Sequence, residues 1–383
     1  MSLLPAILQL PEPGFYEIDA DQYHSDPAAT PSLSQSIGKI LLAKCPRAAW
    51  WDHPRLNLDF KRKEATKFDL GNVAHALLLG KGREFRTIAA DSYTTKTAQL
   101  TRDAYRDAGF IPILHSQYEI ALDMVAAARK QLSSVDEGQF AFAPEWGEIE
   151  VCVLSRDPVG CWTRALIDFY GAKVLSGVTC WDYKTTSGSA NPAVLGPRFD
   201  QLGWAFQAAF QERIICTLKP DLLGRIRFRF FVQENEPPYL ASVCEPSGAA
   251  MTLAHKMVAA AIAIWNQCLS TGQWSGYPTR SVPINLLAFA EDSWLRRELD
   301  DEMVQLAADD PFLSGIYRED TIASRPPGAA HLHGELGKAL TEVTRRAFAP
   351  STSPEKRRPG RPRKSPETPA EPDPKPPEES AGE

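Results

Sequence analysis

The sequence predicts an α/β fold in which helices flank a mixed central β-sheet. Three observations support it: an amphipathic helical pattern over His115–Leu132, three successive segments with strand character after it, and a further helix that precedes one more strand. Turn-rich segments join the three strands as hairpins, so these strands pair antiparallel. The last strand is reached through a helix, and such a crossover makes the sheet mixed.

Helices are predicted on both sides of the strand-rich region. A short helix over Ser34–Leu42 begins after the Pro31-Ser32 turn signal and ends before Pro46. Lys67–Leu79 also has helical apolar spacing. Two later helices are predicted over Phe199–Ile214 and Met251–Cys268.

Four segments are predicted as strands of the sheet. They are Gly147–Leu154, Cys161–Tyr170, Val178–Thr185 and Arg225–Gln233. The last of them alternates charged and apolar residues, a pattern typical of an exposed edge strand.

Composition divides the chain into four regions. Residues 1–60 are predicted to form a helical and extended region that packs on a core over residues 61–320, which ends in helices. Residues 321–349 are expected to be a helical extension. Residues 350–383 contain about a third of the 31 prolines and almost no apolar residues, so burial cannot offset the entropy of ordering them. This last region is predicted to be a disordered tail.

Charge and cysteine content exclude several classes of protein. A formal net charge of -6 argues against a uniformly basic nucleic-acid coat, although phosphate contact needs only a local basic strip. The seven cysteines have no metal-binding spacing, which indicates reduced thiols and no zinc or iron–sulfur site. We expect a cytoplasmic protein with no membrane partner, because the sequence has no convincing signal peptide and no stretch close to about 20 apolar residues.

Two carboxylates are predicted to meet at the ends of neighbouring strands. Asp168 lies near the end of the second strand, and Asp182 and Lys184 near the end of the third, on a common face because side chains alternate along a strand. Adjacent carboxylates in an apolar sheet repel each other and lose hydration, and a divalent cation removes both costs. The sequence therefore predicts a metal site here.

Further ligands are predicted on the flanking elements. Glu148 and Glu150 lie on one face of the first strand, and either could add an oxygen ligand. His75 follows Gly71 by one helical turn, so both lie on one helix face, and the glycine would let the helix approach the sheet. Each group also has an alternative interpretation without a metal. Asp182 and Lys184 could belong to a solvated strand face, and the two glutamates could lie on the outer face of an edge strand. His75 could be a hydrogen-bonded histidine of the core.

Magnesium and phosphodiester hydrolysis suit this set of residues. Mg²⁺ prefers oxygen ligands and keeps waters, one of which can become the nucleophile, and a metal pair stabilises the attacking and leaving oxygens. Lys184 would orient or deprotonate the water, or neutralise charge in the transition state.

The motifs resemble the exodeoxyribonuclease VIII group, the phage and prophage exonucleases of the PD-(D/E)xK superfamily. The likeness runs from about Gly14 to Glu291 through GFYEIDADQYH, SLSQSIGKILLAKCP, FDLGNVAHALLLG, GEIEV, RALIDF, WDYKTT and GQWSGY. The resemblance implies metal binding by His75, Asp168, Asp182, the carbonyl of Tyr183 and Glu148, with Glu150 as the alternative register. It implies catalysis by Lys184 with Asp182 and Asp168. The family also has a helix with a glutamine followed four residues later by a tyrosine. Gln207 matches the glutamine and is expected to bind substrate. Gln211 replaces the tyrosine, which is a departure from the family.

The resemblance also implies a fold and an activity. The fold would be a restriction-endonuclease-like core over residues 61–320. The activity would be Mg²⁺-dependent resection of linear double-stranded DNA, 5′ to 3′, in phage-type recombination or repair, with Mn²⁺ able to substitute. A single-strand annealing protein is the usual partner, and such nucleases often form homo-oligomeric rings.

The basic segment KRRPGRPRK in the tail is a second candidate DNA contact. Gly360-Arg361-Pro362 flanked by lysine and arginine is similar to an AT-hook, which lays arginines in the narrow minor groove of A·T-rich DNA. The alternative is a solvated polybasic tail that binds any polyanion.

Two other functions are compatible with the sequence. One is another nuclease of the same superfamily, an endonuclease or a helicase-linked or CRISPR-adaptation enzyme, but the cluster-binding cysteines typical of some of these are not suitably spaced here. The other is a catalytically silent DNA-binding module. The lysine beside the paired acids argues against it, because a binding protein does not need this arrangement.

Overall fold

A computed structural model describes residues 9–60, 69–171 and 177–305. The chain falls into two compact units, Met1–Ser281 and Val282–Glu383. All the strands of the described residues, and every candidate residue discussed below except Arg361, belong to the first unit.

The strands of the first unit mostly agree with the predicted bounds. They are β1 Gly14–Tyr16, β2 Leu33–Ser34, β3 Phe85–Ile88, β4 Ile111–Leu114, β5 Glu148–Arg156, β6 Trp162–Gly171, β7 Val178–Thr186, β8 Ile226–Glu234 and β9 Ala241–Cys244. The predicted hairpin strands correspond to β5, β6 and β7, each within two residues at either end. The short strands β1–β4 and β9 were not predicted.

The helices of the first unit surround these strands. They are α1 Ala20–His24, α2 Gln35–Ala43, α3 Pro46–Trp51, α4 Asp69–Leu79, α5 Lys96–Asp107, α6 His115–Leu132, α7 Pro192–Gln201, α8 Trp204–Leu218 and α9 Gly248–Thr271. The side chain of Ser34 caps α2 by accepting the N–H of Ile37, which explains why the predicted helix begins at that position.

A mixed sheet of seven strands forms the centre of the described first unit, as predicted. Its order is β1-β5-β6-β7-β8-β9, and β2 pairs in parallel with β6. β5, β6 and β7 are antiparallel neighbours, whereas β8 is parallel to β7 and is reached through α7 and α8. A separate two-stranded parallel sheet joins β3 to β4.

The prediction that the strand Arg225–Gln233 lies at an edge is wrong. β8 lies between β7 and β9, and most of its residues are buried. Its charged residues are accommodated by ion pairs: the guanidinium Nε of Arg229 lies 2.8 Å from Oε1 of Glu245, and the same group lies over the ring of Trp181. Arg227 is exposed and Arg229 is buried, so the alternation of charged and apolar residues does not by itself indicate an edge strand.

The single helix predicted over Phe199–Ile214 is also wrong, because two helices cover this region. α7 ends at Gln201, and α8 begins at Trp204 after Gly203, whose φ is +63°. Glycine adopts this left-handed conformation without the steric cost that a Cβ imposes. The left-handed residue interrupts the helix, so α7 and α8 are separate helices.

Three buried apolar clusters lie against this sheet in the described residues, and two of them are large. The larger contains Trp204, Phe206, Phe210 and Phe230, with α8 packed on β5 and β6 and with α9 packed on α8 and α2. The smaller contains Trp181 and side chains of α4 and α6. Each fully buried large apolar side chain contributes about 1.5–3 kcal/mol to the free energy of unfolding, so the strands that carry the site are held firmly from both faces.

The sequence was expected to contain no segment long and apolar enough to span a membrane, but α9 is such a segment by length and composition. Within the described residues it is the one helix that meets both criteria, with a mean hydropathy of 1.4 over its most apolar window. Its inner face packs into the larger core through Val258, Ile262 and Trp265. Length and composition alone therefore do not distinguish this core helix from a membrane span.

The second unit is described only through residue 305. It contains α10 Ala288–Asp300 and α11 Glu302–Gln305, neither of which has a buried residue. The predicted extension over 321–349 and the tail over 350–383, including Arg361, lie outside the described residues.

Candidate functional site

The candidate site lies where β6 and β7 separate. The two strands pair from Gly171 with Thr179 to Phe169 with Trp181, and the regular pairing stops there. Beyond this point the carboxylate of Asp168 takes the place of a backbone acceptor, because its Oδ2 accepts the N–H of Tyr183 at 3.0 Å. The split in the sheet therefore exposes carboxylates where backbone groups would otherwise pair.

Glu150 on β5 has an unusual backbone beside this split. Its φ is +48°, in the left-handed region, where a residue other than glycine costs about 1–3 kcal/mol and often marks a functional site. The register is the same on both sides of it, Ile149 with Phe169 and Val151 with Ile167, so Glu150 lies opposite Asp168. Ile149 and Val151 pack in different cores, because the chain turns over at Glu150.

His75 reaches the two acids from α4. Its Nε2 lies 3.0 Å from Oδ2 of Asp168, and its Nδ1 lies 3.7 Å from Oε1 of Glu150. The imidazole also stacks on the ring of Tyr183, with centroids 6.2 Å apart and planes at 19°. The ring is thus fixed by two carboxylates and an aromatic surface.

Gly71 allows α4 to approach the sheet this closely. A Cβ at this position would lie 2.5 Å from Oγ1 of Thr185 on β7, closer than atoms can pack. Any larger residue would push the helix or the threonine away, and His75, one turn further along, would move with the helix.

Asp182 is held by two donors on its other side. The ammonium of Lys184 lies 2.6 Å from Oδ1, and the amide of Gln207 on α8 donates to Oδ2. Among the described residues no backbone or amide N–H donates to Oδ1, so the ammonium of Lys184 is the one partner of this buried oxygen. It is therefore available to a further ligand.

Burial and charge shift the pKa values of these groups in different directions. Burial would lower the pKa of His75, but Asp168 and then Glu150 and Asp182 outweigh it and raise the pKa above its usual value. Burial, and then the charge of Asp168, raises the pKa of Asp182. Burial would also raise the pKa of Asp168, but His75, Lys184 and the N–H of Tyr183 lower it.

The two aspartates therefore behave as a pair whose charges oppose each other. Asp168 is the more acidic member because a cationic ring and a backbone donor stabilise its ionised form. Asp182 resists ionisation beside it despite the adjacent ammonium. A divalent cation between such carboxylates would relieve this repulsion.

The structure brings together most of the residues that the sequence singled out, with one change among the acids. His75, Asp168, Asp182, Lys184 and the backbone of Tyr183 lie at one place. Glu150, and not Glu148, faces His75, and burial raises its pKa. Glu148 is exposed at the start of β5. The third acid of the cluster is therefore Glu150, the alternative register, and not Glu148.

Gln207 has a different contact from the substrate contact expected of it, and Gln211 has a structural one. Gln207 is 3% exposed and donates its amide to Asp182, so it positions the acid instead of reaching outward to a substrate. Gln211, one turn further along α8, donates to the carbonyl of Leu166 on β6. This residue therefore satisfies a backbone acceptor next to the split in the sheet.

A cleft of about 860 Å³ opens onto the cluster and contains residues that the sequence analysis missed. Its lining includes His75, Glu150, Lys184 and the guanidinium-bearing Arg198 of α7. Nearby, burial and then the charge of Lys184 lower the pKa of Lys39 to about 8. Lys39 lies within the segment SLSQSIGKILLAKCP but was assigned no role there, and Arg198 belongs to none of the quoted motifs, so only their positions in the fold reveal them.

The residues of the cluster fit a divalent cation in chemical type but not as a preformed cage. Within the described ranges, no three His, Cys, Asp or Glu side chains are arranged as metal ligands around one point, although the side chains of the cluster lie next to each other. Instead, His75 and Lys184 supply the positive charge that the acids need. The available Oδ1 of Asp182 and the oxygen and nitrogen donors of Asp168, Glu150 and His75 are the groups that could hold a hard cation.

Comparisons with known proteins give no family. No protein-family model and no curated protein matches the chain. Among solved structures, a protein of Eubacterium rectale described as a candidate exonuclease is similar, with 11% identity over 73% of this chain and 98% of that one and a TM-score of 0.45. The protein SSO0001 shares 16% identity over 52% of this chain and 85% of that one, with a TM-score of 0.22. Neither superposition is close enough to transfer a function, so function rests on the geometry of the cluster.

Proposed function

We propose that this protein is a divalent-metal-dependent nuclease that hydrolyses the phosphodiester bonds of linear double-stranded DNA. One observation carries the proposal: His75, Glu150, Asp168, Asp182 and Lys184, which are far apart in the sequence, converge at the split between β6 and β7. A purely structural role would not require three acids, an imidazole and an ammonium at the base of an open cleft.

Magnesium is the proposed cofactor, with manganese able to replace it. Asp168, Asp182, Glu150 and His75 would hold the ion, together with the carbonyl of Tyr183. When bound, the ion would polarise the phosphoryl group and lower the pKa of a bound water. No three of the acids and His75 form a preformed ligand set, so we propose that metal binding replaces the present contacts of His75 with Asp168 and Glu150.

The chain's own residues would perform the remaining steps. The N–H of Tyr183 and the amide of Gln207 fix the orientations of the two aspartates, which limits the reorganisation needed during reaction. The ammonium of Lys184, next to Asp182, would orient the attacking water or neutralise charge on the phosphoryl oxygens. Arg198 in the wall of the cleft is positioned to contact a phosphate of the substrate.

The proposed substrate is a DNA end, and the proposed context is phage-type recombination or repair. We propose resection from 5′ to 3′, a single-strand annealing protein as partner and a homo-oligomeric enzyme. The basic segment around Arg361 would add affinity for duplex DNA. Truncation after Ala349 should therefore weaken duplex binding and reduce its dependence on salt, and unchanged binding would remove the tail from the proposal.

The activity is tested with end-labelled linear duplex and covalently closed circular DNA, each with magnesium or with chelator. We expect metal-dependent loss of the linear DNA only, abolished in Asp182→Ala and Lys184→Ala. Cleavage of the closed circle would instead indicate an endonuclease. An intact linear duplex with every divalent metal would contradict the proposal and favour a silent DNA-binding module.

A further inference from the structure

A second cleft, distinct from the one above the acids, lies between α2 and α3 and the segment that follows α3. Its volume of about 970 Å³ is at the upper end of the usual range for ligand pockets, about 300–1,000 Å³. His24 of α1 lines both this cleft and the one above the cluster, so the two clefts are neighbours that meet at this residue. A chain-like ligand could extend from one into the other.

Two exposed aromatic rings line this second cleft. Trp51, at the end of α3, is 57% exposed, and Tyr277 is 68% exposed. The N–H of Arg47 donates to the carbonyl of Ser275 at 2.9 Å, which ties the segment before Tyr277 to the beginning of α3. The two rings are therefore carried by backbone segments that are hydrogen-bonded to each other.

The charges in this cleft are mixed. Lys44 and Arg47 line it, and in the described part of the chain neither has a carboxylate within ion-pair distance. The guanidinium of Arg47 lies 4.3 Å from the ring centroid of Trp50. Asp52 and Asp59 also line the cleft, so positive charge alone does not define what binds there.

This combination favours unpaired bases over duplex DNA. Binding of a duplex depends on many phosphate contacts and therefore on a strongly basic wall. Proteins hold single strands differently, by stacking exposed base faces on aromatic side chains with a few cations on the backbone. Exposed rings with two available cations and two acids match the second pattern.

We propose that this cleft binds single-stranded DNA, with bases stacked on Trp51 and Tyr277 and phosphates near Lys44 and Arg47. The inference rests on the proposed nuclease function, because the single strand bound in this cleft would be the one that enters or leaves the cluster. The strand would pass His24, which lines both clefts. A strand held there would keep a frayed end next to the acids between cleavage events.

Binding of a fluorescein-labelled oligothymidylate to the full-length protein, measured by anisotropy with chelator present, tests this inference. We expect Trp51→Ala and Tyr277→Ala each to raise Kd about tenfold, as for loss of one stacked base. Trp146→Ala is the matched control, because Trp146 is also exposed but packs on Phe140 and does not line the cleft. Lys44→Ala should reduce the slope of log Kd against log salt by about 0.7.

Photo-crosslinking locates the strand independently of affinity. An oligonucleotide with 5-iodouracil should crosslink to peptides that contain Trp51 or Tyr277. Unchanged affinity in both variants, an equal loss in Trp146→Ala, or crosslinks confined to other peptides would overturn the inference. A protein that binds the oligonucleotide through Trp51 but degrades no DNA with any metal would contradict the nuclease function and leave the binding site intact.

Discussion

The imidazole Nε2 of His75 and the backbone N–H of Tyr183 both contact the same oxygen, Oδ2 of Asp168, each at 3.0 Å. One donor comes from a helix and the other from the strand that has separated from Asp168. The carboxylate thus joins α4 to β7 at the point where the sheet opens. This junction places the imidazole, the acids and the lysine around one volume.

Glu150 and Glu148 provide a matched pair of acids on the same strand. Because Glu150 faces His75 and Glu148 is exposed, Glu150→Gln should reduce the rate of DNA hydrolysis about 10- to 100-fold, whereas Glu148→Gln should leave it within twofold. Rates at saturating magnesium and the magnesium concentration for half-maximal rate are the measurements. A larger loss in Glu148→Gln would contradict the assignment.

Gln207 is expected to act by orienting Asp182. Gln207→Leu removes the amide donor to Asp182, so its rate of hydrolysis should fall about 10- to 100-fold with little change in KM for DNA. Gln211→Leu is the control, because Gln211 donates only to a backbone carbonyl. A rise in KM with unchanged kcat for Gln207→Leu would instead indicate the substrate contact expected from sequence.

The close approach of α4 to β7 can be tested by a double-mutant cycle. Gly71→Ala places a methyl group against Thr185 and should lower the free energy of unfolding by about 1–3 kcal/mol, with loss of activity as His75 moves. Adding Thr185→Ala removes the clashing hydroxyl and should recover part of both losses. Additive effects on stability in urea denaturation would show that the two sites do not contact each other.

Acid should destabilise the first unit through the buried pair of His53 and Asp26, whose Nε2 and Oδ2 lie 3.3 Å apart. Burial lowers the pKa of His53, so the stability it contributes is present above the unfolded pKa of about 6.5 and is lost as pH falls below it. For Asp26, Arg164 and His53 outweigh burial and lower the pKa, so its contribution is lost only at lower pH.

The unfolding free energy measured in urea at pH 7.5 and 5.5 separates these effects. When the pH is lowered over this range, the unfolding free energy of the wild-type protein should change by a more negative amount than that of His53→Gln, which has no imidazole to protonate there. His115→Gln, at an exposed histidine, should follow the wild type. An equal loss in the wild type and His53→Gln would assign the pH dependence to other groups.

The positions of the two aspartates and the lysine could be inferred from sequence because they depend on local order. Asp168, Asp182 and Lys184 lie on consecutive antiparallel strands, and the few residues between the two strands in the sequence favour this pairing. Glu150 could not be chosen over Glu148, because alternation along a regular strand gives both glutamates the same face. The left-handed backbone at Glu150 removes that equivalence, and no residue type in the segment signals it.

Other differences arose where tertiary contacts outweigh local patterns. The buried guanidinium of Arg229 pairs with Glu245, the residue that follows β9, and the pattern of one strand contains no information about this partner. The break at Gly203 was overlooked because the apolar periodicity continues across it. Gln207, which donates to Asp182, lies on α8 in the first turn after this break.

Diffraction from crystals soaked in manganese, recorded for anomalous scattering, tests the central claim most directly. We expect an anomalous peak about 2.1 Å from carboxylate oxygens of Asp168 and Asp182, with Nε2 of His75 turned from Asp168 toward the ion. The claim would be contradicted by manganese bound elsewhere while the cluster remains metal-free and the contact of 3.0 Å between His75 and Asp168 persists.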